Sequence, residues 1–149
     1  MTEEIRVVDP DTGGEKGAKP YQFYTIPWEA MKEIAHVFYM GGRKYEPYNF
    51  HRGYRWSLSY DALHRHLGEF WNGTDWNTES FEDRETGEHT EFRVRHIAQA
   101  AWHCIVLTFF SIANKGTDDR PNHENDEPSQ PVFAFREKDM DSVEWIDGV

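Results

Sequence analysis

The stretch "FRVRHIAQAAWHCIVLTFFSIAN", residues 92 to 114, constrains this chain more than any other. It reads as one helix, and from Ile97 onward apolar side chains fall on nearly every face, as they do in a helix at the centre of a domain. Gly116 is placed to stop it. Such a helix needs covering, and the 149 residues suffice for one domain that buries roughly two thirds of its unfolded surface.

Two amphipathic segments can supply the cover. Pro27 opens a first helix in which Trp28, Met31, Ala35 and Phe38 recur at three-four spacing, and "MGG" at 40 to 42 is expected to end it. Ser57 or Ser59 can cap a second helix running to about Trp71, with Tyr60, Leu63, Leu67, Phe70 and Trp71 as its apolar stripe. On a helical wheel His64 and His66 flank that stripe on opposite sides, about 160° apart, so they cannot easily share a ligand. The connector "RKYEPYNFHRGYRW" between the two helices is aromatic and basic, a loop too rich in large side chains to be idle.

The remainder is polar. Residues 1 to 20 lack a hydrophobic period and predict an extended arm, residues 72 to 91 a long acidic loop, and residues 117 to 149 a disordered linker ending in a docking tail. That tail carries short apolar runs at 132 to 135 and at Trp145 and Ile146. The predicted fold is thus all-α: a compact bundle of about three main helices over residues 21 to 116, with an N-terminal arm, an acidic loop and a largely irregular tail.

Charge narrows the possible partners. The formal net charge is −11, with acids gathered at both ends and between 75 and 91, while residues 43 to 66 carry Arg43, Lys44, Arg52, Arg55 and Arg65. A basic segment on an acidic body points to a small anionic ligand and away from a nucleic-acid duplex, which that body would repel. The single cysteine, Cys104, excludes an internal disulfide framework and suits a reducing compartment. "MTEEIRVVDP" is no signal peptide, and no run of roughly 18 consecutive apolar residues suggests a membrane span. A soluble, cytosolic protein is expected.

Several groups have chemistry to offer. His96 and His103 share a stripe of the third helix but lie about 10 Å apart along its axis, too far for both to bind one metal directly. Each buried imidazole needs a partner, for His103 a neighbouring carboxylate or carbonyl. In "EDRETGEH" a turn at Thr86 and Gly87 would point Asp83 and Glu85 the same way, toward a divalent ion or simply into solvent. His66 and Glu69, three apart, can be a metal-ligand pair, a base with its orienting carboxylate, or a surface ion pair. Lys44 and Arg43 suit phosphate oxygens, and Tyr45, Phe50 and Trp56 suit a stacked base, although packing aromatics would look the same. Lys16 and Lys19 lie among glycines without the spacing of a phosphate-binding P-loop.

Taken in order, "TGGEKGAKP", "IPWEAM", "GGRKYEPYNFHRGYRWSLSYDALHRHLGEFWNG", "DRETG" and "HIAQAAWH" resemble the phage-encoded N-terminal domain of dATP/dGTP diphosphohydrolases over roughly residues 10 to 110. The family pattern runs G-G-x-K-G-x-K, G-A-x-K-Y-x-x-x-N-W-x-x-G-Y-x-W-S-L-S-Y-x-A-x-x-R-H, G-E-D-x-D-x-E-T-G-x-x-H and A-A-W-H. The G-E-D element reads Gly73-Thr74-Asp75 here, about eight residues separate it from "DRETG", and further residues separate Gly87 from His96.

The resemblance implies hydrolysis of a purine deoxynucleoside triphosphate to its monophosphate and pyrophosphate, in the cytoplasm of a phage host, with magnesium or manganese as cofactor. It implies a metal site of His66, Asp83, Glu85 and His96, catalytic roles for His66, Glu85, Arg65 and Lys44, and substrate contacts from Lys16, Lys19, Lys44, Tyr45, Asn49, Trp56, Arg65 and His103. A homo-oligomer is expected. The alternatives are a nucleotide-binding or sponge protein without hydrolysis and an acidic inhibitor of a host protein.

Overall fold

Residues 4–121 are described by a computed structural model. Their order is β1 (Ile5–Val8), β2 (Glu15–Ala18), α1 (Trp28–Lys44), α2 (Trp56–Trp71), β3 (Trp76–Glu82), β4 (His89–Arg95) and α3 (His96–Ala113). Short 3-10 turns occupy Phe23–Thr25 and Asn49–Arg52. The three predicted helices are present, but two antiparallel hairpins accompany them, so the class is mixed α and β and the all-α expectation is corrected. Most of the expected linker and tail lies outside the described residues.

The predicted arm is a hairpin. β1 pairs with β2 in register from Ile5 opposite Ala18 to Val8 opposite Glu15. Its loop closes on Asp9, whose Oδ1 accepts the amides of Asp11 and Thr12. Among the described residues the hairpin packs substantially on no other element. It leaves Ile5, Val7 and Val8 exposed.

The predicted acidic loop is the second hairpin, with Trp76 opposite Arg95 and Glu82 opposite His89. Alternation by two turns Asn77, Glu79 and Phe81 inward on β3, with Thr90, Phe92 and Val94 on β4. The expected third helix therefore begins four residues late: 92 to 95 belong to β4, and His96 opens α3 by donating its amide to the carbonyl of Asp75.

Three helix ends differ from expectation. α1 runs through Gly41 and Gly42 to Lys44, and α3 ends at Asn114 in the left-handed conformation (φ 50°), two residues before Gly116. Nor do the serines at the start of α2 cap it with their own side chains. Asp119 does so from the segment after α3, accepting the Ser57 amide at 2.9 Å and its hydroxyl at 2.5 Å. Gly116 has another task. An added Cβ would stand 2.1 Å from the Tyr54 carbonyl oxygen, and one on Gly53 would stand 2.2 Å from the Gly116 nitrogen. Only a pair of glycines lets the segment after α3 lie this close to the start of α2.

The core joins Val37 and Met40 of α1, Val94 of β4 and Ala98 of α3, with Phe81, Phe92 and Trp102 packed against it. α2 lies along α3, and α1 contacts α3 and β4. α3 is less enclosed than its composition predicts: Val106 and Phe110 are fully buried, but Ile97, Ile105 and Ile112 are exposed. By length and composition α3 could also cross a membrane. A core helix has the same composition, and the buried Gln99 and His96 on it face partners inside the protein.

The glycines give a stability prediction. Gly87 (φ 71°) has open space around its Cβ position, so Gly87→Ala should cost roughly 1–2 kcal/mol, the strain of a side chain in the left-handed region. Gly53→Ala adds a backbone collision to that strain. Urea unfolding should show clearly the larger loss for Gly53→Ala; equal losses would refute the close approach.

Candidate functional site

A cavity of about 460 Å³ opens between α1 and α2, with α3 as its floor and the connector 45–54 at one end. Its wall divides into two chemical regions. Phe38, Phe50, Tyr54, Leu58 and Trp102 make part of it aromatic and apolar, and Lys44, Arg65, His66, Glu79, Gln99 and His103 make the rest polar.

Apart from the exposed Arg65, the polar residues form a bonded network of buried and half-buried groups. The hairpin places Glu79 under α1, where its carboxylate takes Lys44 Nζ at 2.8 Å and Gln99 Nε2 at 3.2 Å. Gln99 Oε1 in turn accepts Asn77 Nδ2 at 2.9 Å. Burial works against the Glu79 carboxylate, but the Lys44 hydrogen bond and charge outweigh it and hold its pKa below the usual range. Burial likewise disfavours the Lys44 ammonium, and Glu79 more than compensates, so Lys44 stays protonated.

Three imidazoles stand beside this pair. His66 Nδ1 and His96 Nδ1 are 3.0 Å apart, so one nitrogen carries the proton and the other accepts it. The rings of His66 and His103 stack at 5.9 Å with 18° between their planes. His103 Nδ1 meets Ser59 Oγ at 3.0 Å, and Ser59 meets the Tyr54 hydroxyl at 2.7 Å. Burial lowers the pKa of His66, helped by His96 and Arg65. Burial, with His66 and Arg65, pushes His103 down to about 4. Both rings are therefore neutral at pH 7.

The expected site residues are distributed unevenly. Lys44, Tyr45, Asn49, Arg65, His66 and His103 all line the cavity. Arg65, which the wheel turned away from the apolar stripe, reaches the wall nonetheless, and no salt bridge holds it among the described residues. His96 backs His66. Lys16 and Lys19 lie on or beside the N-terminal hairpin, away from the cavity. Trp56 is engaged elsewhere: its Nε1 donates to the Lys115 carbonyl at 2.8 Å and Arg120 lies over its ring. The partner of His66 is His96 and not Glu69, and that of His103 is a hydroxyl where a carboxylate or carbonyl was expected.

Asp83 and Glu85 do converge, on Arg43. Arg43 Nε donates to Asp83 Oδ2 at 2.7 Å and Nη1 pairs with Glu85. The other Asp83 oxygen accepts the amides of Glu85 and Thr86 and so shapes the turn before Gly87. Burial would raise the Asp83 pKa, but Arg43 and those amides hold it down. The implied metal set is thus split between two places, His66 with His96 at the cavity and Asp83 with Glu85 at the hairpin turn. Among the described residues no group of three His, Cys, Asp or Glu side chains could hold a metal ion. As placed, the four residues do not fit one ion.

Glu79, Gln99, Ser59 and Trp102 are cavity residues that the sequence reading did not assign to the site. Glu79 was one acid among many in a supposed loop, and strand alternation would have singled it out.

A family model described as dATP/dGTP diphosphohydrolase, N-terminal, matches residues 10–120 of the chain. No curated protein and no solved structure matches.

The neutral imidazoles make stability depend on pH. His103 has a folded pKa of about 4 against 6.5 for an unperturbed histidine, so the unfolded chain binds the proton first as pH falls. Stability should be level above 6.5 and fall as pH drops from 6.5 to 4. Melting temperatures across that range should show less slope in His103→Asn than in wild type; an unchanged slope would contradict the assignment.

Proposed function

The chain belongs to the family of dATP/dGTP diphosphohydrolase N-terminal domains, and from that membership we propose that it binds a purine deoxynucleoside triphosphate in this cavity and hydrolyses it to monophosphate and pyrophosphate. One observation carries the reading: an Arg65 guanidinium with no salt bridge among the described residues and a neutral His66 line a cavity that aromatic side chains also line. The aromatic wall suits a heterocycle, the cation suits phosphate oxygens, and the neutral imidazole suits a water that must lose a proton.

In this reaction the oxygen of water bonds to the α-phosphorus, and the bond from that phosphorus to the bridging oxygen breaks. The electron pair leaves with pyrophosphate. His66 accepts the water's proton at Nε2, in the tautomer that donates its Nδ1 proton to His96. His96 is a positioning residue in this scheme. Arg65 binds phosphate, and Lys44, fixed by Glu79, faces the same polar space. The divalent ion, magnesium or manganese, enters as part of the substrate, carried on the triphosphate.

Incubation with each dNTP and manganese, followed by chromatography for dNMP and pyrophosphate, tests this. Arg65→Gln should raise KM roughly tenfold or more, the loss of a charged hydrogen bond. His66→Asn should lower kcat roughly 10²-fold or more with KM little changed. Absence of turnover for every dNTP, or full turnover in His66→Asn, would refute the reading.

The engagement of Asp83 and Glu85 by Arg43 favours one alternative, nucleotide binding without hydrolysis. It predicts thermal stabilisation by dNTPs with no pyrophosphate released.

A further inference from the structure

One face of α3 is uncovered, although this helix is the centre of the domain. On a helical wheel Ile97, Ala101, Cys104, Ile105, Thr108 and Ile112 fall within an arc of about 120°, and all but the half-buried Ala101 are exposed. Ile112 is 73% exposed. No Asp, Glu, Lys or Arg stands anywhere between His96 and Asn114. The stripe also asks little of water: Thr108 Oγ1 donates to the Cys104 carbonyl at 2.7 Å and Ser111 Oγ to the Thr108 carbonyl at 2.8 Å, so both hydroxyls are turned back onto the helix backbone. A strip about four turns long, free of charge on a chain of net charge −11, is suited to contact with another apolar surface.

The face continues onto α2. Ser59 and His66 mark the line along which α2 meets α3, through their bonds to His103 and His96. On the wheel the cavity residues Leu58, Ala62 and Arg65 lie on one flank of that line, and the exposed Leu67 and Phe70 lie on the other. Gln99 and Trp102 likewise reach the cavity from the side of α3 away from the stripe. The apolar face is thus on the far side of these two helices from the cavity.

The order of residues along the stripe points to its occupant. Ile97 and Ile112, Ala101 and Thr108, and Cys104 and Ile105 stand at equal distances either side of a point between residues 104 and 105. A second α3 laid antiparallel across that point sets isoleucine 97 against 112, alanine against threonine and cysteine against isoleucine, each twice, which is the pairing that a two-fold contact requires. Neither an unrelated peptide nor a bilayer calls for that symmetry. Charge argues the same way, because two bodies of net charge −11 repel and can meet here without setting carboxylate against carboxylate. Area sets the extent: the strip on α3, about 22 Å long and about 10 Å wide, falls well short of the roughly 800 Å² that each partner gives to a stable interface. The contact therefore includes Leu67 and Phe70.

We propose that α3 packs against α3 of a second copy of this chain, about a two-fold axis between Cys104 and Ile105, forming a dimer whose cavities lie on its outer sides. The inference stands apart from the hydrolytic reading, since no residue of this face lines the cavity.

Sedimentation equilibrium of the full chain, whose monomer is 17.6 kDa, should report the mass of two chains at micromolar concentration. Ile112→Glu, at an exposed position, should weaken the dimer roughly tenfold or more by setting a carboxylate against the partner's Ile97 at both ends of the contact. Adding Ile97→Lys should restore association: positions 97 and 112 are about 22 Å apart on one helix and can pair only across the axis. A short bis-maleimide should join two wild-type chains through Cys104, the only cysteine, a readout that needs no variant to fold.

A single-chain mass at every concentration overturns the inference. In that case flotation with phosphatidylcholine vesicles names a bilayer as the occupant, and a Cys104 that resists maleimide names residues 122–149 of the chain itself. A dimer that survives Ile112→Glu, that the bis-maleimide does not join, or that Ile97→Lys does not restore also overturns it.

Discussion

The last turn of α1 holds the second hairpin with two neighbouring cations, and the cavity exists because of that hold. Arg43 takes the turn through Asp83 and Glu85, and Lys44 takes the middle of β3 through Glu79. The Arg43 carbonyl also accepts the Arg84 amide, so backbone joins side chain in the same place. These contacts bring the inward face of the hairpin beneath α1, where Phe81 stacks on Phe92 at 5.5 Å and joins the core. A helix that ended at Gly41 would have offered neither cation at the right height.

This hold determines the electrostatics of the site. A half-buried carboxylate near His66 would ordinarily draw a proton onto that ring, but Glu79 is engaged by Lys44 and Gln99. His66 feels Glu79 less than it feels burial, so its pKa falls. Neutrality matters for function, because a protonated ring cannot accept a proton from water. The pair Lys44 and Glu79 is neutral as a unit, leaving Arg65 as the cation on that wall without a salt bridge among the described residues. A chain of net charge −11 therefore presents positive charge locally, where an anion would enter.

How much was legible follows from which patterns survive without neighbours. The helices could be read because their apolar spacing repeats within the segment: α2 was expected to end at about Trp71 and does. β3 could not be read the same way, since two of its inward residues, Asn77 and Glu79, are polar and serve a hydrogen-bond network instead of a hydrophobic face. The turn at Thr86 and Gly87 was foreseen, and so was the convergence of Asp83 and Glu85; what they converge on is a guanidinium forty residues away in sequence. His66 and His96 meet across thirty residues, which no local spacing encodes. The cap on α2 is equally remote, because Asp119 supplies what Ser57 and Ser59 were expected to supply.

One signal was present and goes further than periodicity. Relative to the family pattern, extra residues stand on both sides of the "DRETG" element, between Asp75 and Asp83 and again between Gly87 and His96. In the structure the residues on either side of that element are β3 and β4, paired residue for residue from Trp76 opposite Arg95 to Glu82 opposite His89. Two matched additions flanking a turn lengthen a hairpin, whereas additions to a loop have no reason to match. The hairpin brings in Glu79, the carboxylate that fixes Lys44, so its inward face belongs to the cavity wall and not to the periphery. Where a chain departs from its family's spacing symmetrically about a turn, the residues at the inward positions of the added strands are the ones to test for a role in the site.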